Sequence, residues 1–149
     1  MMTSIADLEE AVVSAICDLD ATSWHQDDFR PNWHESETPL DPSSESSGRA
    51  HLAFAVWADG APVEPARGCM KARPNIRVRF YYRLRAGQKP ADMRCATRAA
   101  EQIAHALDGS HANGARLVVT NAGAKTVATG GWADVTLAVR GLIELKAAA

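Results

Sequence analysis

The chain has 149 residues, 46% of them hydrophobic, and a formal net charge of −2, which suits one domain with one core. Of the apolar residues, 28 are Ala and only 28 are Leu, Ile, Val or Phe. The core is therefore modest, an enzyme body with deep internal pockets is not expected, and the small net charge argues against wholesale disorder. The charge is unevenly spread: residues 1–48 carry 11 acidic groups and one base, Arg30, while residues 49–149 carry 15 basic and 7 acidic groups. Such asymmetry concerns partners and association more than fold. No apolar run approaches the ~20 residues of a membrane helix. The start, MMTSIADLEEAVV, lacks a basic stretch ahead of an apolar one, so no signal peptide is expected. Three widely spaced cysteines, Cys17, Cys69 and Cys95, make neither a disulfide framework nor a zinc spacing.

The first predicted element is a helix with Ile5, Leu8, Val12, Ile16 and Leu19 on one face. Ser4 is placed to cap its N-terminus, and Asp18 and Asp20 oppose the C-terminal dipole, so the helix should stop near Asp18. Residues 21–49 read as a long acidic loop with three prolines and no period. Within it Trp24, Phe29 and Trp33 need a surface to cover, whereas residues 35–48 carry no anchor and read as flexible. A strand is expected around Leu52, Phe54, Val56 and Trp57. Residues 59–74, with three prolines and two glycines, are excluded from a central strand and read as a mobile loop. The clearest pattern follows: Ile76, Val78, Phe80, Tyr82 and Leu84 alternate with Arg77, Arg79, Tyr81, Arg83 and Arg85, one buried face and one wet or partner-bound face. A second helix should begin at Pro90, bury Met93, Ala96, Ala100, Ile103 and Leu107, and end at Gly109 with positive φ. Strands over 116–120 and 132–145 complete the chain, with a small-residue loop between them at 121–131. The order is α-β-β-α-β-β. The expected fold is a single α+β domain: a mostly antiparallel four-stranded sheet with the helices packed on one face.

The sequence offers little chemistry. It has no phosphate-binding glycine loop and no nucleophile elbow. His25, Asp27, Asp28, His34 and Glu35 carry metal-binding groups, but on a loop without rigid spacing, so a solvated polar loop is the preferred reading. Cys17 and Cys95 read as small buried hydrophobes and His105 as a boundary residue packing its ring; Cys69 lies among bases but has no placed general base. No catalytic, cofactor or metal site is assigned. What remains is the arginine row of residues 77–85. It can be a solvated face, a set of phosphate contacts, or an interface with an acidic surface such as residues 1–48 provide; complementarity within the same chain favours the last.

The leading amphipathic helix, the strand NIRVRFYYRLR, the helix DMRCATRAAEQIAHALDG and the closing WADVTLAVRGLIEL together resemble the tail terminator (tail completion) proteins of long-tailed bacteriophages, over most of the chain. The resemblance is one of size, element order and texture. It implies a non-enzymatic structural protein of the virion, assembled in the host cytoplasm. Copies would form a ring, usually hexameric, on the head-proximal end of the tail tube. The ring stops polymerisation of the tube protein, meets the head–tail connector and lets DNA pass through its lumen without specific binding; no cofactor and no membrane are involved. Arg77, Arg79, Arg83 and Arg85, with Trp24, Phe29, Trp33, Trp57 and Trp132, are the candidate contacts to neighbouring subunits or to the tube. A head-completion or neck connector protein is the nearest alternative, and a nucleic-acid-binding α+β module the next.

Overall fold

The computed structural model describes residues 4–19, 34–35, 53–60, 62–66, 69–109, 111–112, 115–126 and 131–145. Helix α1 (Ile5–Cys17) starts where the sequence places it: the Ser4 hydroxyl accepts from the backbone N–H groups of Ala6 at 3.1 Å and Asp7 at 3.5 Å. Leu8, Val12 and Ile16 are fully buried on its inner side. Helix α2 (Lys89–Leu107) carries Pro90 in its first turn, where the missing N–H is no loss. It ends at Leu107, and the chain turns away two residues later at Gly109, whose φ of 74° is cheap only for glycine. Ala96, Ala99, Ala100, Ile103 and Leu107 form its buried stripe, and the run of alanines lets its axis approach the sheet.

Four long strands make the main sheet: β2 (Ala53–Ala58), β5 (Asn75–Arg83), β7 (Ala115–Thr126) and β8 (Trp132–Gly141), in the order β2-β5-β8-β7 and antiparallel throughout. Two-residue strands extend its edges, β1 (His34–Glu35) parallel to β2 and β6 (His111–Ala112) antiparallel to β7. Both helices pack on one face, over Phe54, Ile76, Val78, Phe80, Tyr82, Val135, Leu137 and Val139. The fold is α+β, as the periodicities imply.

Three boundaries differ from the sequence reading. First, the segment 59–74 is not a loop: β3 (Val63–Ala66) and β4 (Cys69–Ala72) form a hairpin. It joins β9 (Ile143–Leu145) in a second sheet, ordered β3-β4-β9. Pro65 is accommodated because β3 is that sheet's edge strand. Second, the stretch 132–145 is two strands. Its inside–outside alternation runs unbroken through buried Gly141, exposed Leu142 and buried Ile143, so nothing in the pattern marks the change of sheet. Third, β7 continues to Thr126, six residues into the expected loop. The central strand β8 has obligatory donors and acceptors on both edges, and small residues from Asn121 to Ala124 can supply partners without side-chain demands. A register shift between Val119 and Asn121 absorbs the irregularity. There the Asp108 Oδ1 accepts from the Val119 N–H at 2.9 Å, and the Thr120 hydroxyl donates to the Ala138 carbonyl at 3.3 Å.

Candidate interaction surface

The sheet face away from the helices bears the arginine row. Arg77, Arg79, Tyr81 and Arg83 alternate outward from β5. Across the strand they meet Ala138, Thr136, Asp134 and Trp132 of β8 in that order. On the other side Trp57 of β2 stands opposite Arg77. The row is not a bare positive strip. Arg79 donates to both carboxylate oxygens of Asp134, at 3.0 and 2.7 Å, and lies over the Tyr81 ring with its guanidinium carbon 5.4 Å from the centroid. The hydrogen bonds that Arg79 donates to Asp134 raise the Arg79 pKa above its ordinary value, partly opposed by burial. Arg77 pairs with Asp59 at 3.2 Å. Arg83 lies over Trp132, 5.8 Å from the ring centroid. Trp132 is itself 8% exposed, so it serves as a platform more than as a projecting anchor, whereas Trp57 is 37% exposed.

Arg85 departs from its expected place. The strand ends at Arg83, and Arg85 turns to the N-terminal turn of α2. Its backbone N–H, Nε and Nη2 donate to Asp92 at 2.8, 3.2 and 3.1 Å. Asp92 is 1% exposed. Arg85 is thus a structural tie between β5 and α2, because a carboxylate buried at a helix start needs a cation and donors. Among the described residues, the acids that meet Arg77, Arg79 and Arg85 are Asp59, Asp134 and Asp92.

A second basic group lies at one end of the same face and was not singled out from the sequence. Arg73, Arg116 and Arg140 surround a shallow cavity of about 260 Å³ floored by Val118, Gly141 and Leu142. Val118 and Leu142 are 46% and 43% exposed. The signal was present: Arg116 and Val118 alternate on β7, and Arg140 of β8 alternates with Leu142 just past its end, but only the β7–β8 register places Val118 beside Arg140. On the helix side, a shallow cavity of about 440 Å³ is lined by Ala6, Glu9, Glu10, Val13, Ser14 and Val56. The Glu9 Oε1 accepts from the Ala58 N–H at 3.0 Å and so closes part of the open edge of β2.

Trp24, Phe29 and Trp33 lie outside the described residues, as do His25, Asp27 and Asp28. For His34 and Glu35 only the backbone is described, within β1. Among the described residues no three His, Cys, Asp or Glu side chains cluster as a metal site, and no helix is long and apolar enough to cross a membrane. Cys17 is exposed on the outer side of α1 instead of buried, and Cys95 is half-buried. His105 is exposed as well, one position off the stripe that Ile103 and Leu107 occupy.

No protein-family model matches the chain, and no curated protein is similar to it. Among solved structures, a chain of the "Virion of native gene transfer agent (GTA) particle" is similar, with a TM-score of 0.49 and 16% identity, covering 74% of this chain and 77% of that one. A likeness of that extent carries no statement about function.

Proposed function

We propose that this chain is a structural protein of a phage-like particle that ends a tail tube. Its copies form a ring on the head-proximal end, block further addition of tube protein, and offer the opposite side of the ring to the head connector. On this reading the protein performs no catalysis, binds no cofactor, and lets DNA pass without holding it. It works in the virion after assembling in the host cytoplasm. The α-β-β-α-β-β order that underlies the family resemblance supports the reading. The observation that carries it is the outer sheet face. Its projecting groups are arginines laid over aromatic rings and one half-exposed Trp, which is the composition of a protein contact surface. Because Asp59, Asp134 and Asp92 meet Arg77, Arg79 and Arg85, the row has much less positive charge to offer phosphates than its sequence suggests. A protein partner is therefore favoured over a nucleic acid.

Inactivating the gene in the phage or prophage that encodes it tests the reading. Loss of a terminator leaves tubes that overrun their normal length and lack heads. Tubes of normal length with unjoined heads would identify a neck component instead. Steeply salt-dependent binding of DNA by the purified protein would favour the nucleic-acid module.

A further inference from the structure

The molecule carries two complementary charged surfaces that point in different directions. The outer side of α1 exposes Asp7, Glu10, Ser14 and Asp18, and α1 contains no basic residue. The basic cavity at the end of β7 and β8 has Arg73, Arg116 and Arg140 on its rim and an exposed apolar floor, and among the described residues that line it none is acidic. The helix packs on the inner face of the sheet; Val118, Arg140 and their neighbours project from the outer one. The inner face is fixed by Leu117 and Gly141, paired next to them: a Cβ on Gly141 would lie 3.2 Å from a Leu8 methyl of α1 and 3.3 Å from a Leu117 methyl. One chain therefore cannot bring its own ridge and cavity together.

We propose that the acidic ridge of α1 in one copy seats in the arginine-rimmed cavity of a second copy. The spacing fits. Asp7 and Glu10 are one helical turn apart, with Cβ atoms about 5–6 Å from each other. Arg116 and Arg140 are diagonal neighbours across an antiparallel pair, about 7–8 Å apart, a gap that two long side chains close. Ala6, exposed beside the ridge, meets the floor of Val118 and Leu142. Because ridge and cavity face different ways, a two-fold dimer cannot satisfy both at once. Each contact leaves a free ridge at one end and a free cavity at the other, so the contact is heterologous and closes as a ring when the rotation allows. The inference rests on the proposed ring and names the surfaces that build it.

The test is native mass spectrometry with sedimentation velocity on the full-length protein at low and high salt. Three variants are compared with the parent: R116E/R140E, D7K/E10K, and the four changes together. The parent should assemble beyond a dimer and loosen in high salt, since exposed charges are screened. Each double variant should weaken assembly by at least about 100-fold, as like charges then face each other, with an unchanged circular dichroism spectrum. The fourfold variant should regain assembly. Double variants that assemble like the parent, a fourfold variant that stays apart, or a parent that stops at a monomer or dimer would each overturn the pairing. Tube length reads the proposed function separately: rings indifferent to these charges that still cap tubes would sink the pairing and leave the terminator standing.

Discussion

Asp92 and Asp134 are the two buried acids among the described residues, and each fixes one arginine. Their surroundings differ, and so do the expected costs of removing them. Asp92→Ala strips three hydrogen bonds from Arg85 at a nearly water-free site; a loss of about 2–4 kcal/mol in denaturant unfolding is expected. Asp134→Ala frees an Arg79 side chain that is 37% exposed, so water compensates in part, and about 1–2 kcal/mol is expected. A cation whose folded pKa is raised contributes stability that is fully present below its unfolded value and lost only above the folded one. For Arg79 that window is strongly alkaline. The pair should accordingly contribute no pH dependence between neutrality and the alkaline limit, which a pH series of unfolding midpoints on the parent and Asp134→Ala checks as a constant difference. At the helix start, Ser4→Ala removes the cap of α1 and should cost about 1 kcal/mol.

At the scale of elements, what was legible was whatever a period of 3.6 or 2 encodes. The centres of the buried faces of α1, α2 and β5 follow the pattern, from Leu8, Val12 and Ile16 to Ile76, Val78, Phe80 and Tyr82, while Ile5, Leu19 and Met93 are only half-buried and Tyr81, read on the wet face, is buried. Strand ends were not legible, because they are set by partners. The alternation through Gly141, Leu142 and Ile143 is the same whether one sheet or two receive it. Residues 121–126 show no strand signature, and pairing with β8 orders them. The bulge after Val119 is held by Asp108, the residue that follows the last turn of α2. Asp108→Ala should leave that N–H unpaired and cost about 1 kcal/mol, with faster amide exchange confined to residues near Val119. Gly141 lies against the Leu8 side chain of α1. Gly141→Val should overpack against Leu8 and Leu117 and cost about 1–3 kcal/mol in thermal or denaturant unfolding.

Over the whole molecule the charge imbalance was plain in the sequence, but its placement was not. The arginine row of residues 77–85 drew attention to β5, yet Asp59, Asp134 and Asp92 meet three of its four arginines. The cavity among Arg73, Arg116 and Arg140 gathers bases that are far apart in sequence, which only the fold could bring together. The aromatic candidates split in the same way: Trp132 is a platform beneath Arg83, and Trp57 is open to a partner. In the proposed collar, the second copy and the tube share this outer surface and its flanks, and no cleft is required. The most direct measurement is to add the purified protein to growing tail tubes of its own phage and follow them by negative-stain microscopy. The account predicts that elongation stops and that a ring of density appears on one end of each tube. Continued growth of bare-ended tubes at saturating protein would contradict it.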